Sequence, residues 1–141
     1  MIVLDTNVIS ELMRQAPDEG VVRWVDRFLY GEVFITAVTA AELMCGVARL
    51  PVGKRKAVLA TRVSELLTED FDDQILPFDH LAAEQYALVS GAREAGGRPM
   101  SMADAQIAAT CRRYGASLAT RNTKDFADTG VVVLDPWEEA V

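Results

Sequence analysis

Short apolar runs alternate with longer amphipathic segments along this chain. Five runs have the length of a strand, at residues 2–4, 33–35, 75–76, 118–119 and 131–134, of which 75–76 is the weakest. Between them, apolar side chains recur at the spacing of a helix that buries one face. Strands that alternate with helices favour a parallel sheet covered on both sides. The pattern therefore predicts an α/β fold with a mostly parallel central sheet.

Helical spacing is clearest in three apolar stripes and in two longer segments. The stripes, expected in the core or on a dimer face, are Trp24, Val25 and Phe28, then Leu43, Met44 and Val47, then Ala82, Tyr86 and Val89. The longer helices are predicted over residues 54–69 and 103–113. The segment 96–99, GGRP, predicts a turn between two helices. Because the sequence has no repeat or linker, residues 1–141 are predicted to form one domain.

The composition restricts the function classes. The 141 residues are half apolar and 25% charged, as in an ordinary globular domain. No apolar stretch has the length of a membrane span, and the N-terminus lacks the basic segment of a signal peptide. Cys45 and Cys111 are expected to be buried thiols in a reducing compartment, which predicts a cytoplasmic protein. With one histidine, His80, a closed zinc site is disfavoured, and any metal is expected to be a hard ion such as Mg²⁺ or Mn²⁺.

Three acidic residues follow or open predicted elements, and each has a structural explanation. Asp5 directly follows the first apolar run and is expected to cap the next helix. Glu42 lies three residues after Thr39, which is the spacing of a capping box. Asp104 has a looser version of the same spacing after Ser101. For each residue taken alone, both the structural and the functional interpretation stay open.

The positions of these acids relative to one another indicate a shared site. Asp104 lies on the same helix face as Ile107 and Cys111, and an inward carboxylate requires a partner or a cation. Parallel strands bring the residues that follow them to one edge of the sheet, and Asn122 and Asp125 follow the fourth run. Carboxylates that meet there repel each other, and a divalent cation removes the conflict. Such a cation also activates water, so the set suits phosphodiester hydrolysis.

Seven segments carry a resemblance that covers nearly the whole chain. They are LDTNVISE at 4–11, TAAEL at 39–43, LPVGKRK at 50–56, ILPFD at 75–79, ADAQIAAT at 103–110, ATRN at 119–122 and DPW at 135–137. In this order and at this spacing the chain resembles the PIN-domain family, and most of all the VapC and FitB group of bacterial toxin ribonucleases. The resemblance implies a three-layer α/β/α domain that cleaves RNA with Mg²⁺ or Mn²⁺. It also implies a homodimer and a cognate antitoxin whose tail occupies the active-site groove.

The resemblance also implies roles for individual residues. The positions that match the catalytic and metal-binding acids are Asp5, Glu42 and Asp104, and the fourth catalytic position is that of Asn122. Asp125 either assists Asn122 or caps the turn that follows it. Thr6 and Thr120 match hydroxyl positions that help to hold the water or the acids.

The charge of the chain has to be reconciled with an RNA substrate. A net charge of −7 counts against a polyanionic partner, since nucleic-acid-binding proteins usually have a basic surface. Basic residues are nevertheless grouped, as Arg49, Lys54, Arg55, Lys56 and Arg62, and as Arg112, Arg113, Arg121 and Lys124. Either group could follow an RNA backbone, although a solvated helix face explains the first group somewhat better. Arg121 is of more interest because it adjoins the predicted site.

Two other classes of function fit the sequence less well. A Mg²⁺-dependent phosphatase of the haloacid-dehalogenase type needs a second acid two residues after Asp5, where this chain has Asn7. A receiver-type phospho-switch needs an acidic pair at the same strand end. A PIN-like module that only binds partners is disfavoured because Asp5 and Asp104 are both present. Gly-rich phosphate loops are absent from the sequence, which excludes P-loop nucleotide hydrolysis.

Overall fold

The computed structural model describes residues 1–139 and places five short strands in one sheet. The strands are β1 (Ile2–Leu4), β2 (Val33–Thr36), β3 (Ile75–Leu76), β4 (Ser117–Ala119) and β5 (Val133–Leu134). They lie in the order β3-β2-β1-β4-β5, and every neighbouring pair is parallel. Strands β2 and β3 lie on one side of β1, and β4 and β5, which follow later in the chain, lie on the other side. A crevice is expected at the carboxyl ends of β1 and β4, where the direction of building reverses.

Seven α-helices connect and cover these strands in the described part of the chain. They are α1 (Thr6–Leu12), α2 (Glu19–Asp26), α3 (Ala37–Ala48), α4 (Lys54–Glu65), α5 (His80–Ala95), α6 (Met102–Tyr114) and α7 (Pro136–Glu139). Two 3₁₀ turns, Tyr30–Glu32 and Thr123–Phe126, and a π-helical turn, Leu66–Asp70, complete the connections. Residues 96–101 connect α5 to α6, as the glycines and proline there predict.

Side chains on the two faces of the sheet enter two separate cores. Ile2 and Leu4 of β1 belong to one core, and Val3 between them belongs to the other. The first core is covered by α1, α2, α3 and α4, and the second by α5 and α6. Because alternate residues of a strand point to opposite faces, a strand buried on both sides is apolar throughout. The predicted three-layer α/β/α architecture is therefore confirmed.

The predicted capping box at Thr39 and Glu42 is wrong. Strand β2 continues to Thr36, and α3 begins directly after it, so the residue that caps α3 is Thr36. The Thr36 hydroxyl accepts a hydrogen bond from the Thr39 backbone N–H at 3.1 Å. Thr39 and Glu42 lie inside the helix instead, which leaves the Glu42 carboxylate free for contacts outside α3. At α6 the expected cap is confirmed, since the Ser101 hydroxyl accepts from the Asp104 N–H at 3.1 Å.

Two predicted elements are shorter than their apolar patterns suggest. The helix expected over residues 54–69 ends as an α-helix at Glu65 and continues as the π-helical turn. The Phe71 N–H closes that turn on the Leu66 carbonyl, which widens the last turn and lets Phe71 enter the first core. The run at 131–134 forms a strand only at Val133–Leu134, after Gly130 with its positive φ of 78°.

The two cysteines differ, so the prediction that both are buried is wrong for one of them. Cys111 on α6 is fully buried, and burial raises the pKa of its thiol to about 12. Cys45 is exposed because α3 buries Thr39, Ala40 and Leu43, and Cys45 lies on another side of the helix. Within residues 1–139, no helix combines the length and the apolar character required to cross a bilayer.

Candidate active site

Asp5 lies at the carboxyl end of β1 and is buried, with 5% of the residue exposed. One oxygen, Oδ1, accepts from the Thr6 backbone N–H at 2.8 Å and so caps α1. The other, Oδ2, accepts from the Thr120 hydroxyl at 2.8 Å and from the Asn7 amide at 3.4 Å. The predicted cap is confirmed, and the same side chain also faces the residues that follow β4. The structural and the functional interpretation of Asp5 are therefore compatible.

Asn7 joins the ends of β1 and β4, although nothing in the sequence pattern marks it as a site residue. Its amide donates to the Thr120 hydroxyl at 3.1 Å, and its carbonyl oxygen accepts from the Arg121 N–H at 3.1 Å. The Thr120 hydroxyl also accepts from the Asn122 N–H at 3.1 Å. These contacts fix residues 120–122 against Asp5. They span more than a hundred residues of sequence, so the local signal at Asn7 is only that of a polar residue in a helical turn.

Glu42 reaches the site from α3 and is held by the first turn of α1. The Thr6 hydroxyl donates to Glu42 Oε1 at 2.7 Å. The Thr6 and Thr39 hydroxyls are 3.1 Å apart. Since a hydroxyl carries one proton, the Thr39 hydroxyl donates across this contact while Thr6 donates to Glu42. Thr39 is fully buried and therefore fixes the direction in which Thr6 points, a role that the sequence pattern does not indicate.

Asp104 comes from the first turn of α6, opposite the end of β1. It is half-buried and stands on the helix face that carries Ile107, Ala108 and Cys111, all of them fully buried. The predicted inward orientation of this face is confirmed. Asp104 thereby lies where the apolar layer between α6 and the sheet opens toward solvent.

Burial and mutual repulsion raise the pKa of two of these acids. For Asp5 the largest cause is burial, to which the charges of Asp104 and Glu42 add, while the Thr120 and Thr6 hydrogen bonds lower its pKa. For Asp104 the largest cause is again burial, with the Ser101 hydroxyl opposing it and the charges of Asp125 and Glu42 adding to it. Both pKa shifts therefore reflect carboxyl groups that are withdrawn from water, with nearby negative charges as a smaller cause.

The acids surround one open cavity of about 500 Å³ at the carboxyl edge of the sheet. Its lining residues are Asp5, Thr6, Asn7, Ser10, Glu11, Arg14, Glu42, Asp104, Arg121, Asn122 and Trp137. Six of the eight residues predicted for the site are therefore brought together. Thr120 lies beneath the cavity, fully buried against Asp5. Asp125 does not line it and acts on it only through its charge, from the 3₁₀ turn after Asn122.

The set of ligand atoms around the cavity suits a hard cation. Asp5, Glu42 and Asp104 offer only carboxylate oxygens, and a positive charge beside them would lower the raised pKa values of Asp5 and Asp104. Within residues 1–139, no three His, Cys, Asp or Glu side chains are already arranged as a metal cage. The three carboxylates therefore fit a hard divalent cation by the chemistry of their oxygen atoms.

The two predicted basic groups lie in different surroundings. Lys54, Arg55 and Arg62 line a separate cavity of about 740 Å³ between α4 and the end of α1. In the second group, Arg112 donates to the Thr129 carbonyl and Arg113 stacks on Tyr114, so both are used within the fold. From that group only Arg121 lines the carboxylate cavity.

An all-parallel five-stranded sheet with acids at its carboxyl edge is the arrangement expected from the resemblance to PIN domains. The chain belongs to this family, because the family model described as "PIN domain" matches residues 2–132. The chain is 42% identical over 139 residues to "Toxin FitB" of Neisseria gonorrhoeae, a match that covers 99% of this chain and 100% of that protein. It is 39% identical over 140 residues to "VapC ribonuclease Y4jK" of Sinorhizobium fredii, with 99% and 100% covered.

The solved structures give the same assignment. A structure described as "Structure of FitAB bound to IR36 DNA fragment" superposes with a TM-score of 0.90 at 42% identity, covering 97% of this chain and 96% of that one. At this level of similarity the two chains share the same fold. The resemblance seen in the sequence is therefore confirmed for the family and the fold.

Proposed function

We propose that this chain is a metal-dependent endoribonuclease and the toxin of a toxin–antitoxin pair. The observation that carries the proposal is the meeting of Asp5, Glu42 and Asp104, from three distant segments, around one open cavity. Supporting it, the relatives that match nearly the full length are named a toxin and a ribonuclease. A PIN-like module that only binds partners would have no use for acids whose burial costs stability.

In this proposal Asp5, Glu42 and Asp104 hold Mg²⁺ or Mn²⁺, directly or through water. When bound, the ion polarises the phosphate and lowers the pKa of a coordinated water. Asn122 contributes its amide at the fourth position of the site. Asp125, which lies outside the lining of the cavity, adds negative charge near Asp104 without direct contact to the substrate.

The surrounding residues orient these acids. Thr120 and Asn7 hold Asp5 Oδ2, so the carboxylate of Asp5 keeps one direction while substrate binds. Thr6 fixes Glu42 Oε1, which leaves Oε2 of the same carboxylate free to accept a proton from the attacking water. The proton therefore moves toward the most exposed of the three acids, from which it can pass to solvent.

The partners of the proposed enzyme follow from the same family assignment. We expect a cognate antitoxin that covers the cavity, an RNA substrate that enters it, and a homodimer, with the activity located in the cytoplasm where RNA is available. Leu81 and Leu88 are seven residues apart on one side of α5 and exposed by 43% and 58%, which suits a contact between two copies of the chain.

Replacement of Asp5 or Asp104 by asparagine tests the proposal. Each change removes one negative charge at nearly constant shape, so RNA cleavage in Mn²⁺ should fall by more than about 100-fold, beyond the effect of losing a residue that only orients a ligand. The matched control is Asp72→Asn, an exposed acid outside the cavity, which should cleave like the unaltered protein. Cleavage is measured on a pool of cellular RNAs with and without EDTA, and circular dichroism verifies the fold. Full activity of both site variants, or activity that persists in EDTA, would contradict the proposal.

A further inference from the structure

Two arginines line the carboxylate cavity, and they differ in what they bind. Arg14 lies 3.2 Å from both oxygens of Glu11, in the same turn of the chain, so its charge is already compensated. Arg121 makes no ion pair with any carboxylate of residues 1–139, although it shares the cavity with four acids. Its guanidinium lies over the Trp137 ring, 4.7 Å from the ring centre. The cavity therefore contains one arginine that is positioned by an aromatic face and not by a counter-charge.

Stacking leaves the hydrogen-bonding capacity of Arg121 available. A guanidinium that stacks uses its planar face, and its five N–H donors stay in the plane, in a fork that fits two phosphate oxygens. An arginine paired with Asp or Glu would have used the same fork. The N–H groups of the Arg121 guanidinium are therefore charged, already oriented and able to donate hydrogen bonds to a ligand in the cavity.

Both halves of this stack are anchored independently. The Arg121 backbone N–H donates to Asn7 Oδ1 at 3.1 Å, which ties it to the Asp5 network. On the other side of the stack, the Trp137 backbone N–H donates to Asp135 Oδ1 at 2.9 Å. Helix α7 is held against α2 by the Trp24 indole N–H, which donates to Glu139 Oε2 at 3.0 Å. Trp137 and Glu139 lie beyond residue 132, where the match to the family model ends.

We propose that Trp137 holds Arg121 as a clamp for a phosphate group of the RNA, so that the last helix of the chain positions the substrate. The inference rests on the proposed ribonuclease function and deepens it. The need for such a clamp follows from charge, because a chain of net charge −7 with four acids at its cavity repels a phosphodiester backbone. Arg121 offsets that repulsion where the acids meet. Arg121 is a substrate-binding residue in this scheme, and Trp137 is a positioning residue.

The test measures RNA binding separately from cleavage. A fluorescein-labelled pool of random-sequence RNA 30-mers is titrated in Mn²⁺ against the Asp104→Asn protein, which the proposed function expects to bind without cutting. Adding Arg121→Ala should weaken binding by roughly 10- to 100-fold, the usual effect of losing charged hydrogen bonds. The slope of log affinity against log salt should fall by about 0.7, the contribution of one phosphate on a single strand. The matched control is Arg23→Ala, which removes an exposed arginine outside the cavity and should change neither quantity by comparable amounts.

Variants of Trp137 separate positioning from general stability. Trp137→Phe keeps an aromatic face and should retain most of the affinity, whereas Trp137→Ala should approach the effect of Arg121→Ala. Each alanine variant is also made in the otherwise unaltered protein, where it should raise KM by at least 10-fold and change kcat by less than about 3-fold. The reason is that the clamp binds the RNA equally well in the ground state and in the transition state. Equal affinity, salt slope and KM for Arg121→Ala and Arg23→Ala would overturn the clamp, even if Asp104→Asn abolishes cleavage. A protein that neither binds nor cuts RNA would overturn the clamp together with the function on which it rests.

Discussion

At the scale of single residues, the Thr120 hydroxyl controls the charge state of Asp5. It donates to Asp5 Oδ2 at 2.8 Å inside a fully buried environment, and this bond lowers the pKa of Asp5 against the effect of burial. Thr120→Val keeps the shape and removes the donor, so the pKa of Asp5 should rise further. Because the proposed mechanism uses the ionised form of Asp5, the acidic limb of the pH–rate profile should move to higher pH, and kcat/KM at pH 7 should fall by about 10-fold.

Thr110→Val is the matched control for this change. Thr110 is also fully buried, and its hydroxyl donates to the Gln106 carbonyl one turn earlier in α6, away from the acids. Both variants should lose about 1 kcal/mol in the free energy of unfolding, the usual contribution of one hydrogen bond. The shifted pH profile should be confined to Thr120→Val. Identical pH–rate profiles for the two variants would show that the hydroxyl acts on stability alone.

Single residues also show how far the sequence could predict the site. Asp5 and Asn122 follow apolar runs, so their positions are set by strand ends that a pattern reveals. Asp104 is predictable because the helix face below it is apolar. The roles of Asn7 and Thr39 in the site were not predictable, because they depend on contacts with residues that lie 113 and 33 positions away along the chain. Local spacing contains no information about such contacts.

At the scale of elements, the buried Arg93 connects α5 to the loop that follows β4. Its guanidinium donates to the carbonyls of Arg98, Asp125 and Ala127 at 2.6, 3.0 and 2.8 Å. Arg93→Leu leaves three carbonyl groups without these donors, which should lower the free energy of unfolding by about 3 kcal/mol or more. The loop that carries Asn122 should loosen at the same time. Urea unfolding monitored by circular dichroism measures the free energy of unfolding, and amide hydrogen exchange at residues 122–127 measures the loosening of the loop.

Arg98→Ala is the control at this scale. Arg98 pairs with Asp128 at 2.8 Å, but both side chains are mostly exposed, so the loss should stay below about 1 kcal/mol. Amide exchange at residues 122–127 should be unchanged in this variant. If Arg93→Leu is no more destabilising than Arg98→Ala, the three carbonyls find water or other donors and Arg93 does not organise the loop.

The ends of a helix or strand were predictable where the residues beside them determine where the element starts or stops. Helix α6 matches its prediction within a residue at each end, because Ser101 caps its start and Gly115, with a φ of 65°, ends it. The start of α3 was mispredicted because two threonines, Thr36 and Thr39, both suit a cap, and only the length of β2 decides between them. The π-helical turn depends on the burial of Phe71, which is a property of the packed molecule.

At the scale of the whole molecule, alternation of strands and helices was enough to predict a parallel sheet between helical layers. The strand order β3-β2-β1-β4-β5 was not predictable from the pattern, since it depends on which distant strands pair. That order places β1 in the centre and brings the ends of β1 and β4 together. The arrangement brings acidic side chains close to one another, with Asp5 buried and Asp104 half-buried, and so links the stability of the fold to pH.

The sign of that link follows from the pKa values. In the metal-free protein the pKa of Asp5 and that of Asp104 are both raised above the ordinary 3.8, mainly by burial. The folded state then binds protons more tightly than the unfolded chain, so these groups stabilise the fold at low pH. Their contribution is lost as pH rises from about 3.8 through the raised values. A cation that replaces those protons should restore what is lost.

Melting temperatures in EDTA and in 5 mM Mn²⁺, measured from pH 5 to pH 8, test this link across the whole domain. The increase caused by Mn²⁺ should grow with pH, because the ion competes with protons for the same carboxylates, and should level off once Asp5 and Asp104 are ionised. Asp104→Asn should melt higher than the unaltered protein in EDTA at pH 8, since it removes repulsion, and should gain less from Mn²⁺. An increase in melting temperature that is independent of pH, or equal in the two proteins, would mean that Mn²⁺ binds elsewhere.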